Sequence, residues 1–446
     1  MFLPAVIITY FIVKSRPWRN TVLLIFSLFF YSWGEPKLLL LLIITSLFAY
    51  LCGIGMVKYA NFKRGICISA VTLLTGSLIF FKYLGFISGF FPAFKNVSLP
   101  LGISFYTFQI LSYLIDLYRN DITEEKNFAD FLLYVSFFPQ LIMGPIVRYE
   151  TVGTELQNRN ENWDDVICGT RRFIVGLAKK VLLANNMALI SDTVYNASSA
   201  AGTWALWLAA VCYSLEIYFD FSGYSDMAIG LGRVFGFHFL ENFNYPYVSQ
   251  SISEFWRRWH ISLSSWFRDY IYIPLGGNRV PVCKSIANIL IVWGLTGMWH
   301  GASWNFLLWG IINGFLLIGE KYIFKDIFKR LPKILRHTYA LFFITVSWTV
   351  FHFEDFAVLG TVLKDMFVFR PTDWVSLLMI DTSISMKLLL FIPAAVFAFP
   401  VMDKGIPNRG HPAKSFTVNL IYLALLGVSI MFIISSSYNP FIYFNF

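Results

Sequence analysis

Apolar runs about twenty residues long recur along this chain, separated by short polar stretches. The stretch "LLLLLIITSLFAYLCGIGMV" at 38–57 carries no charge. At 1.5 Å per residue it matches the roughly 30 Å hydrocarbon core of a bilayer. Further membrane segments are expected near 3–13, 21–33, 66–81, 99–118, 130–147, 204–221, 285–300, 304–319, 338–353, 386–402 and 416–435. The pattern predicts about eleven to thirteen crossings. Shorter runs at 84–94, 173–190 and 227–240 read as re-entrant or half-buried. Continuous apolar runs are not the alternating ten-residue segments of a membrane barrel, so the class is an all-α polytopic integral membrane protein. The start, "MFLPAVIITYFIVKSRPWRN", lacks a basic leader and a small-residue cleavage site, and reads as a retained membrane helix. With no internal repeat and no low-complexity linker, residues 1–446 read as one integral membrane domain.

One segment breaks the pattern. In "SISEFWRRWHISLSSWFRDYIYIPLGGNR" (251–279), Phe255, Trp256, Trp259, Leu263, Trp266, Phe267 and Tyr270 recur at spacings of three and four. This is the apolar stripe of an amphipathic helix. Arg257, Arg258, His260, Arg268 and Asp269 lie between them, and Pro274 with Gly276–Gly277 stops the element. The expectation is one interfacial or re-entrant helix whose basic face suits a phosphorylated ligand. "KYIFKDIFKRLPKILR" (321–336) groups Ile323, Phe324, Ile327 and Phe328 beside many cations, as in a helix lying on anionic lipid. With 58–65 and the polar insert 148–180, it is assigned to the cytoplasmic side.

Composition narrows the solvent further. Only 14% of the 446 residues are charged, against 57% hydrophobic, whereas soluble domains carry about a quarter; the mean hydropathy is +0.62. The net charge of +9 is the loop charge that faces anionic lipid, not a nucleic-acid surface. Cys52, Cys67, Cys168, Cys212 and Cys283 stand singly, which gives neither a disulfide framework nor a metal site.

The candidate chemistry is histidine. "GLTGMWHGASWNFLLWG" (294–310) holds three tryptophans and one ionisable group, His300. Ionisable side chains inside membranes are costly and mark cavities and reaction paths; the competing reading is an interhelical packing contact. His260 sits between aromatics at an interface, balanced between snorkelling and function. Imidazole titrates nearest neutral pH, and burial favours its neutral, basic form. His352 reads as a buried polar partner, and His238, His337 and His411 as surface or interfacial groups. A proton-coupled transporter or flippase of envelope precursors is the competing class, since it too uses midplane histidines and broken helices. The chain lacks the inverted halves such proteins show.

"FWRRWHISLSSWFRDYIYIPLGGNR" followed by "TGMWHGASWNFLLWG" resembles the core of the membrane-bound O-acyltransferase superfamily. The resemblance continues through "YSWGEPK" (31–37), "LGISFYTFQILSYLIDLYR" (101–119), "YVSFFPQLIMGPIVRY" (134–149), "DFSGYSDMAIGLG" (220–232) and "NPFIYFNF" (439–446). It is strongest to the bacterial branch that serves alginate, peptidoglycan and teichoic acid. The resemblance implies membrane helices around a central tunnel in the bacterial cytoplasmic membrane. It implies His300 as the catalytic residue, with His260 at the second polar position in an orienting or donor-side role. It further implies acetyl-CoA as acyl donor with no permanently bound cofactor, a polysaccharide acceptor, and an extracytoplasmic partner of the SGNH esterase type. A departure is "WTVFHFED", where this chain has His352 and members of the family often carry an arginine after a Phe. Trp256, Arg257 and Arg258 are the candidate donor contacts, with lipid headgroups the competing ligand for each arginine. Tyr443, in "SSSYNPFIYFNF", is either an interfacial belt residue or the carrier of an acyl ester, the role a similar terminal tyrosine has in the teichoic-acid system.

Overall fold

The structure, a computed structural model, describes residues 1–87, 99–197, 201–375, 384–401, 416–435 and 440–442. Its regular elements are helices, with no strand among the described residues. Seven of these helices combine the length and apolarity of a membrane crossing: Leu39–Lys58, Ala60–Tyr83, Trp163–Asn196, Val282–His300, Trp304–Ile323, Lys333–His352 and Phe416–Ser435. Two shorter apolar helices, Phe2–Ile12 and Lys387–Phe397, match the runs at 3–13 and 386–402, and other apolar runs carry breaks or charges. The run at 130–147 is two short helices, Phe128–Ser136 and Phe138–Leu141, parted beside Pro139. Arg16–Gly34 carries Arg16 and Arg19 in its first turn, and Thr203–Val234 carries Glu216, Asp220, Asp226 and Arg233. The buried members of these charges are paired, Arg19 with Glu161 at 2.6 Å and Asp220 with Lys180 at 2.5 Å. The stretch 173–190, read as re-entrant or half-buried, is part of the continuous helix Trp163–Asn196, most of whose apolar window is buried.

The chain divides into two compact units, Met1–Thr170 with Ala228–Leu240, and Arg171–Met227 with Glu241–Phe446. The first is organised around a buried charge cluster. Arg159 donates to the Phe235 carbonyl at 3.0 Å and to Asn20 at 2.6 Å, while Glu161 takes Arg19 at 2.6 Å and the Tyr10 hydroxyl at 2.6 Å. Buried ions persist only when paired in this way.

The second unit holds the histidine motifs. Val282–His300 and Trp304–Ile318 pack backbone to backbone through small residues. A Cβ on Gly297 would stand 2.3 Å from the Phe306 carbonyl oxygen, and one on Gly310 2.3 Å from that of Trp293. Aromatics from neighbouring elements complete the core: Trp309 stacks on Trp348 at 5.8 Å, and Trp348 lies 4.9 Å from Trp259.

The expected single helix over 251–279 is a correction. The segment is Ile252–Arg258, then Ile261–Phe267, then a π-helical turn Arg268–Tyr272. The break is His260, in the left-handed region at φ 43° and ψ 56°. Side chains other than glycine rarely adopt it, so tertiary bonds must hold it there. They come from the irregular run before the motif: Asn244 N–H donates to the Arg258 carbonyl at 2.9 Å, and Ile261 N–H to the Asn242 carbonyl at 2.9 Å. The apolar stripe survives because Phe255, Trp259, Leu263 and Trp266 are buried on both sides of the break. The first helix is fixed by Glu320, whose carboxylate accepts from Ile252 N–H at 2.5 Å and Ser253 N–H at 2.9 Å.

Candidate functional site

A cavity of about 810 Å³ opens within the second unit, and both motif histidines line it. His300 ends its helix, 5% exposed, with its ring 4.9 Å from Trp299, 5.1 Å from Trp309 and 5.2 Å from Phe351. His260 stands on the broken segment, its ring 4.6 Å edge-on to Phe221 and 6.0 Å from Trp299. Trp299 is therefore the aromatic wall shared by the two histidines, which sequence separates by forty positions and the fold joins in one chamber. Burial pushes the His260 imidazole down to about 3, so at neutral pH it is uncharged.

The candidate donor contacts separate. Trp256 lines the cavity, held by its N–H to Asn313 at 3.1 Å and edge-on to Trp293 at 4.8 Å and Trp309 at 5.5 Å. Arg257 is exposed and lines the cavity. Arg258 turns away to Glu254 at 2.9 Å and to the Asn244 carbonyl at 3.1 Å. Arg268, Lys321, Lys325, Lys329 and Arg336 join Arg257 on the lining, against two carboxylates, Glu254 and Glu320. A phosphorylated ligand entering among them meets a field of the matching sign. From the expected surface-lying stretch, Phe328 also faces the cavity, while Ile323 and Ile327 are exposed.

The chain belongs to the membrane-bound O-acyltransferase family. That family's profile matches residues 25–363. The chain is 35% identical to a probable alginate O-acetylase of Azotobacter vinelandii, with 100% of this chain and 98% of the relative aligned. It is 32% identical to a peptidoglycan O-acetyltransferase of Helicobacter pylori over 100% and 95% of the two chains. Against a teichoic acid D-alanyltransferase of Streptococcus thermophilus it is 30% identical, over 49% of this chain and 56% of the other. This membrane protein is thus an acyltransferase, and the transporter reading falls away.

Several residues of this acyltransferase were not singled out by sequence. Asn242 accepts from the Ser262 N–H at 3.1 Å and lies 3.1 Å from His260 Nδ1. Lys180 and Asp220 form an ion pair of 2.5 Å, 8% and 1% exposed. Together they grip the far end of the chain: Lys180 donates to the Pro440 carbonyl at 3.1 Å and sits over the Phe441 ring, while Ile442 N–H donates to Asp220 at 2.9 Å. Lys180 lies in a π-helical turn, Lys179–Ala184, inside a long helix, as Glu320 does in Gly319–Ile323. Such turns re-aim side chains at functional sites and leave no mark in an apolar pattern. Tyr443 and His411 lie outside the described residues. His352 is ringed by Tyr195 at 4.8 Å, Tyr213 at 4.7 Å and Phe353 at 4.7 Å, in keeping with a packing role.

Proposed function

We propose that this acyltransferase moves acetyl from acetyl-CoA, on the cytoplasmic side of the bacterial cytoplasmic membrane, toward hydroxyls of an exported or cell-wall polysaccharide. The observation that carries the reading is a single cavity that combines two buried histidines with a predominantly basic lining. A coenzyme A thioester has the matching parts: phosphates for the guanidinium and ammonium groups, and a thin acyl arm for the aromatic chamber. The names of the relatives, alginate and peptidoglycan O-acetylating proteins, support the choice of acceptor.

In this scheme His300 is the general base. It takes the proton of an attacking hydroxyl as the oxygen bonds to the thioester carbonyl carbon, and the C–S bond breaks to release coenzyme A as the thiol. Tyr443 is the proposed first acceptor: a phenol with a pKa near 10 needs such a base. The acetyl-tyrosine ester is more activated than an alkyl ester, so onward transfer to the serine of an extracytoplasmic SGNH-type partner runs downhill. The grip of Lys180 and Asp220 on residues 440–442 supports this role, because it fixes the chain immediately before Tyr443. No permanently bound cofactor is required. The test is purified protein incubated with isotopically labelled acetyl-CoA. Coenzyme A is released, and an acetyl adduct appears on the C-terminal peptide of wild type but not of Tyr443→Phe. Turnover without an adduct and with full Tyr443→Phe activity replaces the carrier by direct transfer.

A further inference from the structure

Asn242 offers two groups, and its surroundings decide which points where. Its Oδ1 lies 3.1 Å from the Ser262 backbone N–H and 2.9 Å from the Ser262 hydroxyl. A backbone N–H only donates, so the atom facing it is the amide oxygen. The amide nitrogen points the other way and donates to the Ser225 hydroxyl at 3.1 Å. The orientation is thus fixed by the Ser262 N–H, and the Ser225 and Ser262 hydroxyls, which can donate or accept, accommodate it. That same oxygen lies 3.1 Å from His260 Nδ1. An oxygen without a hydrogen is met by a donor, so His260 carries its proton on Nδ1, and Nε2 keeps the lone pair. Nε2 is buried and has no hydrogen-bonding partner among the described residues, although His260 itself lines the cavity. Burying an acceptor unsatisfied costs free energy, and so does the left-handed backbone that carries it. Both costs are met by the clamp from Asn242, whose carbonyl also accepts from Ile261 N–H at 2.9 Å.

We infer that Asn242 is a positioning residue, which locks His260 in the Nδ1–H tautomer so that Nε2 serves as a fixed hydrogen-bond acceptor for an N–H or O–H of the substrate in the cavity. This deepens the acyltransfer reading and rests on it for the identity of the ligand. Pantetheine amides and acceptor hydroxyls are the donor groups such a lone pair takes. Charges on the elements around His260 are already engaged: Asp220 with Lys180, Asp226 with Arg172 and Lys179, Glu254 with Arg258, Asp269 with Arg268. His300 shares the cavity. Among the described residues no carboxylate is hydrogen-bonded to His260 Nδ1, whose contacts are Asn242 Oδ1 and, at 3.5 Å, the Ser262 hydroxyl, and burial keeps the ring neutral. His260 is therefore an acceptor, while proton transfer falls to His300.

The test reads the tautomer directly. The full-length protein, labelled with ¹⁵N-histidine and held in lipid nanodiscs, gives histidine ring signals from which that of His260 is assigned by its loss in His260→Gln. The expected wild-type signal has Nδ1 protonated and Nε2 bare at neutral pH. Asn242→Asp preserves the Nδ1–H tautomer, and Asn242→Leu lets the proton redistribute to Nε2. In acyl transfer from acetyl-CoA, Asn242→Leu loses roughly tenfold to hundredfold in kcat/KM, and Asn242→Asp restores most of it. A wild-type proton on Nε2, or a tautomer indifferent to Asn242→Leu, overturns the inference without any variant activity being needed. Absence of turnover from acetyl-CoA in wild type, with the tautomer as described, refutes the proposed acetyl-CoA donor and leaves the tautomer lock standing.

Discussion

Replacing Lys180 by methionine and Asp220 by leucine in one chain removes a buried ion pair without leaving either charge behind. The pair supplies two charge-assisted hydrogen bonds to the chain end, to the Pro440 carbonyl and from the Ile442 N–H. Each such bond contributes about 1.5–3 kcal/mol, so the two together hold residues 440–442 by about 3–6 kcal/mol. At 1.36 kcal/mol per tenfold, the docked state exceeds the free one by at least about a hundredfold on these bonds alone. Swapping both ions for apolar groups of similar volume is close to neutral for global stability, whereas removing Asp220 alone strands a buried cation and costs about 3–5 kcal/mol. The double variant should therefore melt within a few degrees of wild type, and Asp220→Leu far below it. Amide hydrogen exchange followed by mass spectrometry reads the docking itself. The C-terminal peptide containing Ile442 should lose on the order of a hundredfold in protection in the double variant. If that amide stays protected while the protein remains folded, other contacts hold the chain end and the ion pair is not its anchor.

Arg257 and Arg258 are adjacent in sequence and should part in kinetics. Arg257→Gln should raise the KM for acetyl-CoA several-fold, more at low salt, and Arg258→Gln should leave it nearly unchanged because Arg258 is taken up by Glu254; equal effects would assign both to lipid. In the first unit, the hydrogen bond with Glu155 raises the His238 pKa above its ordinary 6.5. A raised folded-state value stabilises fully below the unfolded pKa and is lost as pH climbs through the folded one. The Tm advantage of wild type over Glu155→Gln should accordingly be full below pH 6.5 and shrink as pH rises above it, and a pH-independent difference would contradict it.

The sequence conveyed what depends on local pattern. Uncharged runs such as 38–57 became membrane helices, and the two histidine motifs, long and specific, led to the chamber in which His260 and His300 meet. What it withheld depends on partners far along the chain. Nothing in "FWRRWHIS" marks a helix break, since the apolar period runs through it; the break is imposed by Asn242 and Asn244, well before the motif. Lys180 read as the end of the polar insert 148–180 and Asp220 as the first residue of a motif, and only the fold unites them with residues near position 440. Apolarity along a run also does not reveal where a helix is interrupted, as it is between Phe128–Ser136 and Phe138–Leu141 within the stretch 130–147.

The most direct measurement is release of coenzyme A from acetyl-CoA by purified wild-type protein and by His300→Ala, with membrane insertion and melting followed in parallel. Loss of a general base typically costs about 10²–10⁴ in rate. His300→Ala should insert and fold as wild type does, and release coenzyme A slower by at least about a hundredfold. A folded His300→Ala protein turning over near the wild-type rate would make His300 a packing residue and remove the base from the proposed mechanism.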